Sequence, residues 1–139
     1  MKHRYLLDTN IISEPIRLMP NVKVLERIQQ HRYEIATASV VWHELLFGCQ
    51  RLPDSRKRQR LETYLYDVVE RTIPILPYVK IAAEWHAQER ARLSFRGLSP
   101  AFIDGQIAAI AKINGLIIVT ANVADFENFD GITIENWFE

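Results

Sequence analysis

The chain has 139 residues, of which 17 are basic and 17 acidic, so its formal net charge at pH 7 is zero. This length suits one compact domain, and we expect a single domain over residues 1–139. A hydrophobic content of 48% supports a real core and excludes a disordered or collagen-like chain. The one cysteine, Cys49, excludes an intramolecular disulfide framework and indicates a reducing compartment.

The sequence contains no recognisable targeting or membrane signal. The apolar stretch near the N-terminus is interrupted by Asp8, which makes it too short for a signal peptide. The apolar run at residues 116–119 is far below the roughly 20 residues that span a bilayer. We therefore expect a cytoplasmic protein with no membrane contact.

Strands and helices alternate through the first half of the chain. Residues 5–7 predict a buried strand, residues 11–16 a short helical segment, and Asn21 the cap of the next helix. Residues 34–37 predict a second strand, after which Ser39 is the expected cap of a helix that runs to about residue 52. Residues 55–70 predict a further helix.

The second half continues the alternation. Residues 73–76 predict a strand and residues 78–93 a helix. Ser99 as cap and Pro100 as first residue predict a helix that ends at Gly115. Residues 116–119 are an all-apolar strand of the kind found in parallel sheets, and residues 132–134 predict one more. The pattern predicts an α/β fold of three layers, α/β/α, with a mostly parallel central sheet.

Polar residues follow several of the predicted strands. Asp8, Thr9 and Asn10 follow the first strand, Ser39 follows the second, and residues 120–122 follow the fourth. Sites in open α/β sheets form outside the carboxyl ends of the strands. Glu44 and Asp104 lie early in helices that begin at that same edge, so the sequence predicts a polar site there.

Three of these residues are acids in apolar surroundings: Asp8, Glu44 and Asp104. Neither Glu44 nor Asp104 has a Lys or Arg nearby in the sequence, and carboxylates are rarely buried without a partner. Converging carboxylates raise each other's pKa values, and a hard divalent cation such as Mg²⁺ removes the conflict. Asn122 and Asp125 are alternative or joint sources of a fourth polar group.

Each acid also has a purely structural explanation. Asp8 fits an Asx turn after a strand, and Glu44 fits a solvated helix face. Asp104 fits the first turn of a helix, where the dipole favours a negative charge. Asp125 fits a cap of the turn that precedes Phe126. The functional interpretation depends on all of them reaching one sheet edge.

Four segments, in this order, resemble the PIN-domain ribonucleases, and in particular the VapC-type toxins of toxin–antitoxin pairs and their FitB-like branch. The first is the Leu-Asp-Thr-Asn segment around Asp8, and the second is Ser-Val-Val-Trp-His-Glu-Leu, which ends just after Glu44. The third begins at Asp104 and the fourth at Thr120. The resemblance covers nearly the whole chain and implies a PIN-like fold.

The resemblance implies a metal-dependent endoribonuclease, with Mg²⁺ or Mn²⁺ held mainly by Asp8 and Asp104 and the acidic set completed by Glu44. It also implies supporting roles for a group of hydroxyls, those of Thr9, Ser39 and Thr120. Asn122 stands where the family often has Asp, and Asp125 is expected to compensate. The implied partners are an RNA substrate, a second copy of the chain in a homodimer, and a small VapB-like antitoxin that blocks the acidic groove.

Charge is unevenly distributed. Residues 51–60 carry five basic side chains and one acid, whereas residues 114–139 carry five acids and no Lys or Arg. The basic stretch predicts a surface that holds the RNA backbone, through four side chains: Arg56, Lys57, Arg58 and Arg60. The alternative is a solvated helix face balanced by nearby acids: Glu62, Asp67 and Glu70.

Three other functions compete with a nuclease. A phosphatase of the haloacid-dehalogenase class needs a second Asp where this chain has Asn10. A nucleotide-binding module is disfavoured because neither a Walker sequence nor a Gly-x-Gly-x-x-Gly pattern is present. The third is a catalytically inactive PIN-like protein that acts through its antitoxin or a DNA partner, which the intact acids disfavour.

Overall fold

A five-stranded parallel sheet forms the centre of the molecule in the computed structural model, which describes residues 2–139. The strands are β1 (Tyr5–Leu7), β2 (Ile35–Ala38), β3 (Ile75–Leu76), β4 (Ile117–Val119) and β5 (Ile134–Glu135). Their order across the sheet is β3-β2-β1-β4-β5, and every pairing between neighbours is parallel. The predicted α/β fold is therefore confirmed.

Helices flank the sheet. The α-helices are α1 (Thr9–Ile12), α2 (Val22–Gln30), α3 (Ser39–Gln50), α4 (Arg56–Thr63), α5 (Glu70–Thr72), α6 (Lys80–Phe95) and α7 (Phe102–Asn114). Two 3₁₀ turns, Glu14–Ile16 and Val123–Asp125, and a π-helix, Tyr64–Val69, complete the helical segments. Over residues 2–139, no helix combines the length and the apolar character that crossing a membrane requires.

Strand β1 lies in the middle of the sheet and is buried along its whole length. Leu6 pairs with Ala36 of β2 on one side and with Ile118 of β4 on the other. Such a strand is covered by helices on both faces, which explains why its sequence is continuously apolar and does not alternate between apolar and polar residues. The core therefore continues on both sides of the sheet, and polar groups are confined to the strand ends.

Some helix boundaries differ from prediction. The Asn21 side chain caps α2 as predicted, since its Oδ1 accepts a hydrogen bond from the N–H of Val24 at 3.1 Å. Ser39 is instead the first residue of α3, and Ala38 is its N-cap, so the predicted Ser39 cap is wrong. The reason is that β2 stays extended through Ala38, which pairs with Leu76, so the helix starts directly from the strand.

The helix that carries Asp104 starts later than predicted. Its N-cap is Ala101, with ψ of 140°, and no side chain caps it, so the predicted start at Ser99 and Pro100 is wrong. The chain stays extended for one more residue after the proline, and the first turn begins at Phe102. The predicted C-terminal stop is confirmed, because Gly115 adopts the left-handed conformation with φ of 65°.

The predicted helix over residues 55–70 contains a π-helical segment. Ser55 caps α4, and the chain then widens into the π-helix from Tyr64 to Val69. The Tyr64 hydroxyl donates a hydrogen bond to the backbone carbonyl of Ile12, which connects this segment to the end of α1. Burial raises the pKa of Tyr64 to about 12. This long-range contact was not visible from the local pattern.

The starts of α2 and α3 predict different losses of stability when Asn21 or Ser39 is replaced by Ala. Replacing Asn21 by Ala removes a capping bond and should lower the free energy of unfolding by about 1 kcal/mol. Ser39→Ala removes a side chain that makes no capping bond and should cost well under half of that. Urea unfolding of both variants measures the difference, and equal losses would contradict the cap assignment.

Candidate active site

The carboxyl ends of β1 and β4 place two polar residues side by side. Asp8 follows β1 and Thr120 follows β4, and the backbone N–H of Asp8 donates to the carbonyl of Val119 at 2.9 Å. The Thr120 hydroxyl donates to Oδ2 of Asp8 at 2.8 Å, across 112 positions of sequence. Thr120 is fully buried and Asp8 is 7% exposed. This buried hydrogen bond is the innermost feature of the site.

The Asp8 carboxylate is also the cap of α1. Its Oδ1 accepts from the backbone N–H of Thr9 at 2.8 Å, so the contact from Thr9 comes from the main chain. Burial raises the pKa of Asp8, while these hydrogen bonds act in the opposite direction. The Asx-type structural role is therefore real. It leaves room for further ligands, since a carboxylate offers about four lone-pair sites.

Asn10 has a role in the site that our sequence reasoning did not assign. Its Oδ1 accepts from the backbone N–H of Ala121 at 2.9 Å, and its Nδ2 lies 3.4 Å from Oγ1 of Thr120 and 3.5 Å from Oδ2 of Asp8. Asn10 therefore joins the start of α1 to the loop after β4. In the sequence, the one indication of this role was the position of Asn10 in the Asp-Thr-Asn run.

Asp104 lies in the first turn of α7, and the surroundings raise its pKa to about 6. The causes are burial first, then the negative charges of Asp125 and Asp8. Asp125 likewise raises the pKa of Asp8. The structure thus brings together three carboxylates, Asp8, Asp104 and Asp125, which we call the acidic group. Asp125 is its exposed member, in the 3₁₀ turn after β4.

Asn122 and Glu44 have other contacts. Asn122 is exposed, and its hydrogen bond to Oγ1 of Thr120, 3.0 Å long, comes from its backbone N–H. Glu44 is about one third exposed on α3, and its ion-pair contact is with His43, from Oε1 to Nδ1 at 3.7 Å. The roles of Glu44 and Ser39, both on α3, remain predictions.

An open depression of about 370 Å³ lies beside the acidic group. Asp104 and Asp125 line it, together with residues 98–101, Ala124 and Asn128. The depression is open to solvent, so Asp104 and Asp125 are reachable from outside the protein.

The donor set fits one class of metal ion. Within residues 2–139, no group of three His, Cys, Asp or Glu side chains is arranged so that it could hold a metal ion. Mg²⁺ does not need three protein ligands, because it keeps several waters and binds through one or two carboxylates plus substrate phosphates. Asp8 and Asp104, whose pKa values are both raised, are carboxylates of that kind.

Part of the basic segment, by which we mean residues 56–60, lines a second depression, of about 710 Å³. Lys57 and Arg60 line it, together with Arg17 and the exposed side chains of Leu18 and Met19. Ser13, at the end of α1, also lines it, which connects this surface to the helix that Asp8 caps.

The remaining two basic side chains of the segment have different surroundings. Arg58 pairs with Glu62 at 3.0 Å and donates to the carbonyl of Leu52 at 3.1 Å, so for this residue the solvated, balanced helix face is the better description. Arg56 is exposed at the start of α4.

Known proteins share this fold and sequence. The family profile of the PIN domain matches residues 5–132. The tRNA(fMet)-specific endonuclease VapC of Shigella flexneri is 34% identical over 96% of this chain and 98% of its own length. Toxin FitB of Neisseria gonorrhoeae is 30% identical over 96% and 99%. The crystal structure of DNA-bound VapBC from Salmonella typhimurium superposes with a TM-score of 0.85 at 30% identity, covering 97% of this chain and 98% of that one.

The chain therefore belongs to the PIN-domain family, and within it to the group of VapC and FitB toxins. The resemblance inferred from the four sequence segments is confirmed. The PIN-like form of the α/β/α fold is confirmed with it.

The raised pKa of Asp104 predicts a stability that depends on pH. The carboxyl titrates near 3.8 in a model peptide and near 6 in the folded protein, so folding favours the protonated form. The metal-free protein should therefore lose stability as pH rises from about 4 to about 6. Asp104→Asn removes this cost and should stabilise the metal-free protein at pH 8 by about 1 kcal/mol, a value reduced to allow for partial exposure.

Thermal unfolding of both proteins in EDTA, at pH 4 and at pH 8, measures the effect. The two proteins should have similar stabilities at pH 4. A variant that is less stable than wild type at pH 8, or a difference that is the same at both pH values, would contradict the assignment.

Proposed function

We propose that this protein is a single PIN domain over residues 1–139 that acts as the ribonuclease toxin of a type II, VapBC-like toxin–antitoxin module. Its reaction is the hydrolysis of RNA phosphodiester bonds. The single observation that carries the proposal is an acidic group at the carboxyl edge of a parallel sheet which, among residues 2–139, forms no salt bridge with a basic side chain. The names of two relatives, an endonuclease VapC and a ribonuclease VapC2, support the same activity.

Asp8 and Asp104 are the proposed ligands of a Mg²⁺ or Mn²⁺ ion, and Glu44 is the proposed third acid of the site. When bound, the ion supplies a Lewis acid that lowers the pKa of water and neutralises charge on the phosphate. The chain's own contribution is to hold the Asp8 carboxylate through hydrogen bonds from Thr120 and the Thr9 amide. We propose that Ser39 supports the site from the start of α3.

Asp125, rather than Asn122, is the better candidate for the fourth polar group. Asp125 raises the pKa of both Asp8 and Asp104, which requires its charge to lie near both. Asn122 faces solvent and contacts Thr120 through its main chain. We infer that Asp125 takes the position on the solvent side of the acidic group, where a water and the RNA backbone would approach.

The proposed partners are RNA, a second copy of this chain, and a small VapB-like antitoxin. The similarity to a VapBC complex solved with DNA supports an antitoxin and the arrangement of the pair on DNA. The alternative, an inactive PIN-like protein that acts only through its partner, is not favoured because Asp8, Asp104 and Asp125 are intact and close together. Function in the cytoplasm follows from the RNA substrate and the antitoxin.

The acidic group predicts which variants lose activity. Asp8→Asn and Asp104→Asn should each lower the rate of RNA cleavage in Mn²⁺ by about 100-fold or more, since each removes a carboxylate that holds the ion. Expression of wild type should stop growth, and expression of either variant should not. Cleavage is measured by mapping new RNA ends in cells and with purified protein.

Glu127→Gln is the matched control, because Glu127 is an exposed acid two residues from Asp125. It should cleave like wild type. If Mn²⁺ binds wild type, Asp8→Asn and Asp104→Asn with equal affinity, the metal assignment is wrong.

The basic segment predicts salt-dependent RNA binding. In an Asp8→Asn background, which prevents cleavage, replacing Arg56, Lys57, Arg58 and Arg60 by Gln should weaken binding of single-stranded RNA. Lys57→Gln with Arg60→Gln should account for most of the loss, because these two line the open depression. Loss of two phosphate contacts should change the slope of log K against the logarithm of the salt concentration by about 1.4.

The control pair, Lys23→Gln with Lys80→Gln, neutralises two exposed cations on α2 and α6. Fluorescence anisotropy at several salt concentrations measures the slopes. Unchanged affinity and slope in the quadruple variant, or equal losses in the control pair, would remove the basic segment from RNA binding.

A further inference from the structure

The first turn of α7 carries Asp104 without a capping side chain. Its N-cap is Ala101, whose carbonyl accepts from the N–H of Gly105 at 3.1 Å. An uncapped helix end frays readily, because up to four backbone N–H groups there lack partners within the helix. The position of the Asp104 carboxylate therefore depends on what packs against this turn from outside.

A buried imidazole packs against it. His86 of α6 is 4% exposed, and its ring centroid lies 4.8 Å from that of Phe102. A β-carbon added to Gly105 would lie closer than 3.0 Å to three ring atoms of His86, namely Nε2, Cδ2 and Cε1. Phe102 and Gly105 are three residues apart on one face of the turn, so the same ring contacts that face at two points.

The imidazole is itself fixed. Its Nδ1 is hydrogen-bonded to the hydroxyl of Tyr78 at 2.9 Å, and the two rings meet edge to face. Tyr78 lies in the segment between β3 and α6, and α6 packs along α7. The chain of contacts runs from Tyr78 through His86 to Gly105, the residue next to Asp104.

We infer that His86, held by Tyr78, is a positioning residue that sets the place of Asp104 by packing against the glycine at position 105. The inference rests on the proposed function for its consequence in catalysis. The steric part stands on its own: only a residue without a β-carbon lets α7 approach α6 this closely. Neither His86 nor Tyr78 needs to touch the substrate.

Glycine inside a helix is unfavourable by about 1 kcal/mol relative to alanine. Helix propensity and the contact with His86 therefore predict opposite effects of replacing Gly105 by Ala. Gly105→Ala improves the propensity of α7 but forces its first turn away from His86. Gly48→Ala is the matched control, since Gly48 lies inside α3 and an added β-carbon there meets nothing within 4 Å.

The experiment compares wild type, Gly105→Ala, Gly48→Ala and the double variant His86→Ala with Gly105→Ala. Mn²⁺ affinity by calorimetry, the RNA cleavage rate, the thermal midpoint and a metal-free crystal structure are measured for each. We expect Gly105→Ala to weaken Mn²⁺ binding at least tenfold and to lower kcat at least tenfold. The double variant, which removes the clashing ring but also the contact that positions Asp104, should recover part of the Mn²⁺ affinity lost in Gly105→Ala, and Gly48→Ala should match wild type.

Tyr78→Phe provides a second route if Gly105→Ala does not fold. It keeps the packing volume and removes only the hydrogen bond to Nδ1, and we expect it to weaken Mn²⁺ binding about threefold with little change in thermal midpoint. Wild-type Mn²⁺ affinity in Gly105→Ala would overturn the inference. So would a double variant that is no better than Gly105→Ala, or, if that protein does not fold, wild-type affinity in Tyr78→Phe.

Failure of the proposed function gives a different pattern. If the wild-type protein binds Mn²⁺ but cleaves no RNA, the nuclease proposal fails and the affinities still test the positioning role. If wild type binds no Mn²⁺, the metal-free crystal structures test the positioning role of His86. A shift of the Asp104 backbone away from Asp8 in Gly105→Ala, absent in Gly48→Ala, supports the inference, and an unmoved Asp104 overturns it.

Discussion

The parallel pairing of β1 with β4 is the constraint on which the acidic site depends. Leu7 pairs with Val119, so the next residue on each strand, Asp8 and Thr120, emerges at the same edge and forms a buried hydrogen bond. In an antiparallel pair the carboxyl ends of the two strands would point in opposite directions, and these two residues would be separated by the length of the strands. Helix α1, which carries Asn10, and the 3₁₀ turn that carries Asp125 follow these two strand ends, and their positions follow from the same pairing.

Concentrating carboxylates at that edge opposes folding. Burial raises the pKa of Asp8 and Asp104, and Asp125 adds to both shifts, so the charged forms are less stable in the folded protein than in water. The protein offsets part of this cost with hydrogen bonds to Asp8 alone, from Thr9, Thr120 and Asn10. Among residues 2–139, no hydrogen bond lowers the pKa of Asp104, which rises to about 6. Functional sites commonly retain unfavourable charge of this kind.

The sequence predicted correctly those structural elements whose causes lie in neighbouring residues. The all-apolar strands follow from burial on both faces, the Asn21 cap from its side-chain oxygen, and the stop at Gly115 from its left-handed backbone. The predictions failed where a distant contact decided the outcome. The start of α3 moved because β2 pairs with β3 as far as Ala38, and the π-helix is connected to α1 through Tyr64.

By itself, the sequence determined the fold class and the supply of acids that lack basic neighbours, because both depend on residue type and short-range pattern. Tertiary structure alone decided which acids meet. Asp125 joins Asp8 and Asp104 because the turn after β4 lies beside the start of α7, whereas the place of Glu44 in the site remains a prediction. The same is true of the glycine at position 105: its need to lack a side chain comes from His86, which is 19 positions away in the chain and in contact only after α6 packs on α7.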